Sequence, residues 1–266
     1  MATRRRLDVE MVRRGFVETR AKAAAAIEEG HVLVSGTVAE KPSRLVALGD
    51  PIEVVIPERF VSRGGLKLDA ALDRFGVDVT GQRCLDAGAS TGGFTDCLLQ
   101  RGAAHVVAVD VGRGQLMARL RADPRVTVLE GVNVRTLTTA EVGESPSIVT
   151  ADLSFISLTT VAPALAALAS EGASFVFLVK PQFEAGRGNV GKGGIVRDAA
   201  IHRDVLIRVV RHLGTRGLAS VNVMPSPVRG AQGNIEFLLH LVRGDTPSVD
   251  EREVMAVVDE AHRSEP

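Results

Sequence analysis

The stretch that decides the fold reads Asp86-Ala87-Gly88-Ala89-Ser90-Thr91-Gly92-Gly93-Phe94. It follows a short apolar run that ends in Cys84 and Leu85, and it leads into a segment with helical spacing. Glycines at such a position let the backbone turn sharply, and they let a ligand approach the main-chain N–H groups at the start of the helix. The order strand, glycine loop, helix predicts an α/β domain that binds a ligand at this loop.

The glycine loop is compatible with three kinds of site. It departs from the dinucleotide pattern G-x-G-x-x-G, because Ala89 and Ser90 break the spacing. It fits G-x-S-x-G, with Ser90 as a hydrolase nucleophile. It also fits D-x-G-x-x-x-G, the loop with which class I methyltransferases bind the methionine end of S-adenosylmethionine. Asp110 ends the next strand, where an acid would accept hydrogen bonds from ribose hydroxyls and where a hydrolase has no use for one. The methyltransferase is therefore favoured, with a hydrolase and another nucleotide-binding protein as alternatives.

Beyond the loop, short apolar strands alternate with helical segments. This alternation predicts a doubly wound, mostly parallel sheet, and the last two strands are typical of an antiparallel addition. The fold class we expect is α/β: a Rossmann-like class I methyltransferase domain, preceded by a small α+β domain. The predicted strands are 83–86, 105–109, 126–129, 147–151, 175–179, 218–224 and 235–242, and the predicted helices are 93–101, 115–121, 159–169 and 199–213.

The N-terminal part of the chain has a different rhythm. Leu7, Met11 and Val12 predict a helix with Asp8 as its N-cap, a second helix runs to about Ile27, and short strands follow. The expected organisation is a small domain at 1–58, a linker at 59–63, a large domain at 64–243, and an acidic tail at 244–266 that is helical and belongs to the large domain.

The charges of the 266 residues cancel, since 32 basic residues face 32 acidic ones, but they are unevenly placed. Residues 1–22 carry a formal charge of +4, and residues 244–266 carry −5. The neutral total therefore conceals a basic N-terminus, which is either an anion-binding surface or a solvated helix face. All nine aromatic residues are phenylalanine, which argues against an aromatic platform for stacking RNA bases.

The composition also indicates in which cellular compartment the protein is found. Two cysteines, Cys84 and Cys97, make neither a disulfide framework nor a four-ligand zinc site. The first residues lack the apolar segment of a signal peptide, and no apolar run reaches 18 residues. We therefore expect a cytoplasmic protein without stable membrane association.

Charged side chains recur where the predicted strands end. Asp152 ends the fourth strand, Lys180 ends the fifth, Glu236 lies at the last, and Lys67 lies in the segment leading into the domain. Because strand ends in an open α/β sheet converge on the ligand crevice, three of these should face one site. A second glycine-rich stretch, residues 186–194, nearly spells a P-loop but lacks its Ser/Thr, and is better interpreted as a mobile loop over the site or as a surface connection.

In order and context, Lys67, Asp152, Lys180 and Glu236 resemble the K-D-K-E tetrad of FtsJ-type ribose 2′-O-methyltransferases. The chain as a whole resembles the TlyA family, known both as haemolysins and as rRNA 2′-O-methyltransferases. The stretches that carry this resemblance are 8–15, 61–67, 85–94, 151–157, 178–184 and 233–237.

This resemblance implies a function and a set of site residues. It implies an S4-type RNA-binding domain, S-adenosylmethionine as cofactor, no metal, and cytidine 2′-hydroxyls of 16S or 23S ribosomal RNA, free or in ribosomal subunits, as acceptors. The tetrad would be catalytic, with Lys180 as the base that accepts the hydroxyl proton. The expected cofactor-binding residues are Asp86, Gly88, Ser90, Gly92, Asp110 and Asn133, and the expected RNA-binding residues are Arg5, Arg6, Arg13, Arg14, Arg20 and Lys22.

Two other functions remain open. A haemolysin would need a membrane-active segment, which the hydropathy does not indicate. An RNA-binding adaptor without catalysis would need a broken tetrad, whereas all four positions are filled.

Overall fold

The computed structural model describes residues 4–55, 58–244, 246 and 248–263. The predicted small domain at 1–58 and the predicted tail at 244–266 therefore lie partly outside the described residues. The chain divides into two compact units, residues 1–59 and residues 60–266.

The first unit consists of short elements around one apolar core. In chain order they are β1 (Arg4–Arg6), α1 (Leu7–Arg13), α2 (Arg20–Glu28), β2 (Val32–Val34), β3 (Thr37–Val38), β4 (Leu45–Ala47) and β5 (Ile52–Val54). β2 pairs with β3 and β5, and β1 pairs with β4, all antiparallel. Leu7 and Met11 from α1 pack with Ile27 from α2 in the core.

The start of α1 corrects one sequence-based prediction. The helix begins at Leu7 with Arg6 as N-cap residue, and Asp8 is already inside it. Asp8 is buried, and its carboxylate receives hydrogen bonds from the guanidinium groups of Arg6 and Arg20. Its predicted role as N-cap is therefore wrong.

The second unit is built on a seven-stranded sheet. Its strands are β6 (Arg83–Ala87), β7 (His105–Asp110), β8 (Val126–Glu130), β9 (Ile148–Ala151), β10 (Ser174–Val179), β11 (Leu218–Pro225) and β12 (Phe237–Arg243). Its helices are α3 (Arg63–Phe75), α4 (Gly93–Gln100), α5 (Ala118–Arg121), α6 (Thr139–Val142), α7 (Leu158–Leu168), α8 (Pro181–Glu184), α9 (Ala199–Gly214) and α10 (Glu251–Arg263).

The sheet order is β11-β12-β10-β9-β6-β7-β8. The five strands from β10 to β8 are parallel, whereas β12 runs antiparallel between β10 and β11. In this register Phe237, the first residue of β12, pairs with Val179, the last residue of β10. The start of β12 therefore lies at the sheet edge where the parallel strands end, and the predicted fold class is confirmed.

Apolar side chains cover both faces of the sheet. Phe175 and Phe177 of β10 belong to one core cluster, with α7, α9 and α10. The alternate residues Val176 and Leu178 belong to a second cluster, with α3 and α4. This alternation is expected for a strand that is buried on both faces.

The helix α3 was not predicted, although it carries Lys67. Its first turn holds Gly64 and Gly65, which usually signal a break in a helix. Here a Cβ atom at Gly65 would overlap the ring of Phe60, and a Cβ atom at Gly93 of α4 would overlap the Ser62 hydroxyl and lie 2.9 Å from the Gly65 amide nitrogen. The glycines thus let the N-termini of α3 and α4 touch, which brings Lys67 to the end of the sheet.

Candidate functional site

The loop between β6 and α4 is shaped by glycines that no other residue could replace without strain. Gly88 has φ +87°, and a Cβ atom there would lie 2.5 Å from the Asp152 carbonyl oxygen. Gly92 has φ +101°, and a Cβ atom there would overlap Leu120. Both positions therefore combine a left-handed backbone with a close approach of other protein atoms, so the path of the loop requires glycine there.

Asp110 fixes this loop from the neighbouring strand. Its carboxylate accepts hydrogen bonds from the backbone N–H of Ser90 at 2.8 Å and of Gly112 at 2.7 Å. Two carboxylate oxygens offer about four acceptor positions, so capacity remains for the hydroxyls of a ligand. Ser90 has φ +49°, and its hydroxyl contacts Gln115 at 3.3 Å, a neighbour that sequence reasoning missed.

A cavity of about 390 Å³ extends from the loop along the ends of β7 and β8. Gly88, Ser90, Asp110 and Asn133 all line it. The Asn133 side chain is exposed, and its oxygen accepts a hydrogen bond from the backbone of Arg135 at 3.0 Å. The structure thus brings most of the predicted cofactor-binding residues to one cavity.

Asp86 is placed differently from the prediction. Its side chain is fully buried, and it accepts hydrogen bonds from the hydroxyls of Thr95 at 2.7 Å and Thr150 at 3.1 Å. Burial raises the pKa of this carboxyl to about 7. Because its oxygens face α4 and β9 from inside the core, Asp86 supports the loop from below and does not offer a direct ligand contact; this corrects the sequence-based assignment.

Two lysine–carboxylate pairs stand at the ends of the central strands. Lys67 Nζ contacts Glu236 Oε2 at 2.5 Å, and the two side chains are 9% and 2% exposed. Glu236 immediately precedes β12, so the antiparallel direction of that strand brings it to the site. A Cβ atom at Gly230 would overlap the Glu236 carboxylate, which explains the glycine there.

The second pair joins neighbouring strands. Lys180 Nζ lies 2.6 Å from Asp152 Oδ1, and it donates a hydrogen bond to the Ser154 hydroxyl at 3.0 Å. Asp152 follows β9 and Lys180 follows β10, which are parallel neighbours. This is the convergence of strand ends that the sequence predicts.

A cavity of about 260 Å³ collects these groups. Lys67, Asp152 and Lys180 line it together with Gly88 and Ser90, which also line the larger cavity. The two cavities therefore meet at the glycine loop. Glu236 does not line the smaller cavity and reaches it only through its contact with Lys67.

Sequence reasoning missed two phenylalanines near Lys180, of which Phe155 lines the larger cavity. Phe155 is 91% exposed and has φ +64°, an unusual conformation for a bulky residue. Its ring packs on that of Phe183 with centroids 5.0 Å apart, and Lys180 Nζ lies 6.0 Å from the Phe183 centroid. The absence of Trp and Tyr therefore does not leave the site without an exposed aromatic surface. No periodic pattern signals these residues, because Phe155 lies in the loop after β9 and Phe183 lies in the four-residue helix α8.

The buried amide of Asn234 anchors the glycine-rich stretch that follows α8. It donates to the carbonyl oxygen of Gly194 at 3.0 Å and accepts from the amide of Val196 at 3.1 Å. These bonds connect residues 194–196 to the segment that carries Glu236.

In the first unit, arginines predicted to bind RNA are paired with two buried acids. Glu10 accepts hydrogen bonds from Arg13 at 2.6 Å and from Arg14 at 2.8 Å. Arg14 also donates to the carbonyl oxygens of residues 47, 48 and 50, and only 20% of its side chain is exposed. Arg14 is therefore a brace of the fold, which corrects its prediction as a phosphate contact.

The remaining predicted RNA-binding residues keep exposed side chains. Arg5 is exposed in β1, Arg13 is half-exposed, and Lys22 pairs with the exposed Glu18 at 2.6 Å. Arg6 and Arg20 share the carboxylate of Asp8. The structure thus brings Arg6 and Arg20 together, while Arg5, Arg13 and Lys22 are exposed cations elsewhere on the first unit.

Over the described ranges, the structure contains no helix with both the length and the apolar character that crossing a membrane requires.

Comparison with known families and proteins agrees with this architecture. Residues 60–243 match the FtsJ-like methyltransferase family, and residues 5–52 match the S4 domain. The 16S/23S rRNA (cytidine-2′-O)-methyltransferase TlyA of Mycobacterium tuberculosis is 51% identical over 243 residues, which are 91% of each chain. Hemolysin A of Brachyspira hyodysenteriae is 42% identical over 89% of this chain and 99% of its own length.

A solved structure from Streptococcus thermophilus, described as a hemolysin, superposes with a TM-score of 0.75. It is 41% identical in sequence, and the match covers 99% of this chain and 97% of that one. The chain therefore belongs to the FtsJ-like methyltransferase family, and within it to the group of the TlyA proteins.

Proposed function

We propose that this protein transfers the methyl group of S-adenosylmethionine to the 2′-hydroxyl of cytidine in ribosomal RNA. The observation that carries the proposal is the meeting of two cavities at the glycine loop, one lined by Asp110 and the other by Lys67, Asp152 and Lys180. The function of the related TlyA protein, a 16S/23S rRNA (cytidine-2′-O)-methyltransferase, supports the same conclusion.

The residues around the larger cavity fit the cofactor. Gly88 lines both cavities, and the path of the loop depends on glycine at Gly88 and Gly92, so the methionine part can lie against the loop backbone at Gly88. Ser90 lines the same stretch, Asp110 would accept hydrogen bonds from the ribose hydroxyls, and Asn133 would contact the adenine edge. When bound, S-adenosylmethionine supplies a methyl group on a positively charged sulfur, which keeps the bonding electron pair as the methyl is transferred.

The chain must then activate a ribose hydroxyl, which is a poor nucleophile while it carries its proton. Lys180 accepts this proton as the new oxygen–carbon bond forms. Asp152, 2.6 Å from the amine, holds it in place and stabilises the ammonium group that results. Because both side chains follow strands of the sheet, their geometry is fixed by the sheet and the reacting atoms need little reorganisation.

Lys67 supplies a second positive group to the same cavity. Glu236 contacts the Lys67 amine at 2.5 Å, and both side chains are almost completely buried. Lys67 lines the cavity, whereas Glu236 does not. A cation there stabilises the negative charge that develops on the 2′-oxygen.

The exposed Phe155, packed on the half-buried Phe183, provides an apolar surface near Lys180. An unpaired base of the acceptor nucleotide can stack on such a surface, and stacking does not require Trp or Tyr. The pair would hold the nucleotide while its ribose enters the smaller cavity.

The first unit would supply most of the RNA affinity. We assign residues 1–58 to RNA binding, 59–63 to the linker, 64–243 to catalysis and 244–266 to the C-terminal segment of the catalytic domain. Arg5, Arg6, Arg13, Arg20 and Lys22 are the side chains that would contact phosphate. Ribosomal RNA, free or in a ribosomal subunit, would be the partner, which implies a cytoplasmic enzyme.

Substitution of Lys180 tests the proposal. Lys180→Ala should reduce methyl transfer from radiolabelled S-adenosylmethionine to ribosomal RNA about 100-fold or more, because general base catalysis contributes factors of that size. Cofactor affinity, measured by calorimetry, should stay unchanged. Arg216→Ala removes an exposed cation and serves as the control. Near-normal turnover by Lys180→Ala would overturn its role as the base.

Membrane lysis is the second candidate, because two relatives carry the hemolysin name. Dye release from lipid vesicles by the purified, RNA-free protein would support it. We expect no release, and methyl transfer by the same preparation.

A further inference from the structure

The carboxylate of Asp8 is the point where two exposed arginines meet. Arg6 donates from Nε to Oδ1 and from Nη2 to Oδ2, both at 3.0 Å, and Arg20 donates from Nη2 to Oδ2 at 2.9 Å. The Asp8 side chain is only 4% exposed, whereas those of Arg6 and Arg20 are 47% and 60% exposed. An acid below the surface thus holds together two cations that reach solvent.

This cluster keeps a positive charge and unused donors. A guanidinium group has five N–H donors, of which Arg6 directs two and Arg20 directs one to Asp8. The hydrogen bond from Arg6 is the main reason that the pKa of Asp8 falls to about 2, so the acid stays ionised at neutral pH. One carboxylate and two guanidinium groups leave a net charge of +1.

Two other sets of ion pairs among the described residues of the first unit differ from this arrangement. Glu10 also gathers two arginines, but one of them, Arg14, spends its donors on backbone carbonyl groups. Glu18 pairs with Lys22 while both side chains are largely exposed, so neither is held rigidly. Asp8 is therefore the buried acid that orients two exposed guanidinium groups at once.

We propose that Asp8 is a positioning residue for RNA binding: it holds Arg6 and Arg20 side by side so that both can bind one backbone phosphate group. The inference rests on the proposed RNA-binding function of the first unit. Two guanidinium groups that are already aligned lose less side-chain entropy on binding than two independent arginines, so they bind the phosphate more tightly. Their planar forks match phosphate oxygens.

The proposal reverses the simplest electrostatic expectation. Removing an acid from a basic surface should raise the affinity for RNA, because the surface becomes more positive. If Asp8 positions the two arginines, Asp8→Asn should instead weaken binding. The exposed Glu18 gives a matched control, since Glu18→Gln removes the same charge without releasing a pair of arginines.

The experiment measures the affinity of the full chain for a fluorescein-labelled RNA hairpin over a range of KCl concentrations. Asp8→Asn should weaken binding by about 3- to 10-fold, the range expected when ordered long side chains become free. It should also lower the slope of log K against log[KCl] by about 0.7 to 0.9, which corresponds to one lost phosphate contact. Glu18→Gln should not weaken binding. Calorimetric affinity for S-adenosylmethionine should stay the same in both variants.

The outcomes separate this inference from the proposed function. If the unmodified chain binds no RNA, the RNA-binding function of the first unit fails. If it binds RNA and Asp8→Asn binds equally well or more tightly, only the positioning role is overturned.

A second set of variants keeps the test valid should Asp8→Asn lower the melting temperature. Arg6→Gln and Arg20→Gln each alter an exposed side chain and leave Asp8 in place. If both arginines bind one phosphate, the double variant should bind RNA only slightly more weakly than whichever single variant binds it less tightly. Additive losses would mean two independent contacts and would overturn the proposal.

Discussion

The buried pair of Lys67 and Glu236 allows the site geometry to be tested through stability. Glu236→Gln preserves the size of the side chain but removes its charge. Lys67 Nζ, now 2.5 Å from a carboxylate oxygen and almost shielded from water, would then face a neutral amide. A buried ammonium without a counter-charge is costly, since it has lost its hydration and its ion pair together.

The expected loss is about 3 to 5 kcal/mol in the free energy of unfolding, the usual range when one partner of a buried pair is removed. Urea unfolding of the full chain, followed by circular dichroism, measures it. The control is Glu260→Gln, because Glu260 pairs with Arg74 at 3.2 Å on the surface. Exposed pairs contribute about 0 to 1 kcal/mol, so this variant should change little.

A third variant separates stability from catalysis. Lys67→Met combined with Glu236→Leu removes both charges, and it should regain most of the stability lost by Glu236→Gln. It should nevertheless be inactive, because the cavity has lost its second amine. If Glu236→Gln unfolds within 1 kcal/mol of the unmodified chain, the pair is not shielded as described and our account of Lys67 is refuted.

Three further predictions concern the loop and its surroundings. The pKa of Asp86 is about 7 in the folded chain, against an ordinary value of 3.8. Between these two values the folded chain holds a proton that the unfolded chain has released. The free energy of unfolding therefore falls as pH rises through this window, by about 1.36 kcal/mol per pH unit or about 4 kcal/mol in all. The asparagine in Asp86→Asn cannot ionise, so this variant does not lose that stability. In urea unfolding, the free energy of unfolding of the variant minus that of the unmodified chain should rise by about 3 kcal/mol from pH 5 to pH 8. A difference independent of pH would contradict the burial argument. Gly88→Ala should weaken the binding of S-adenosylmethionine, measured by calorimetry, about 10-fold or more, because φ +87° and the Asp152 carbonyl oxygen exclude a Cβ atom. The control Gly172→Ala, at a position with open space around it, should bind normally. Equal affinities of the two variants would argue against a role of Gly88 in shaping the cofactor site. Phe155→Ala should raise the KM for RNA about 10-fold, since stacking contributes about 1 to 3 kcal/mol per base, while the melting temperature is unchanged; an unaltered KM would exclude base stacking at this residue.

The sequence was sufficient for the sheet because its signals are local. Apolar runs bounded by turn residues predicted a strand at 83–86 and another at 105–109, and the structure has them as Arg83–Ala87 and His105–Asp110. The convergence of Asp152 and Lys180 also followed from the parallel order of strands, since strand ends share one edge.

What the sequence did not predict depends on contacts between distant segments. Gly64 and Gly65 at the start of α3 indicate a break in a helix unless one knows that the Phe60 ring packs on Gly65 and that Gly93 of α4 lies beside both. Arg14 stabilises the fold because it donates hydrogen bonds to carbonyl oxygens that lie more than 30 residues away in the sequence. Asp86 follows apolar residues in a strand, and only the positions of Thr95 and Thr150 reveal that its carboxyl faces inward.

The central claim, ribose methylation of ribosomal RNA, is tested most directly by primer extension at low nucleotide concentration on rRNA from cells with and without this protein. A 2′-O-methyl group halts the polymerase under these conditions, so a stop at a cytidine should appear only when the protein is present. A chain carrying Lys180→Ala should not restore the stop. Identical extension patterns from both kinds of cell would contradict the account.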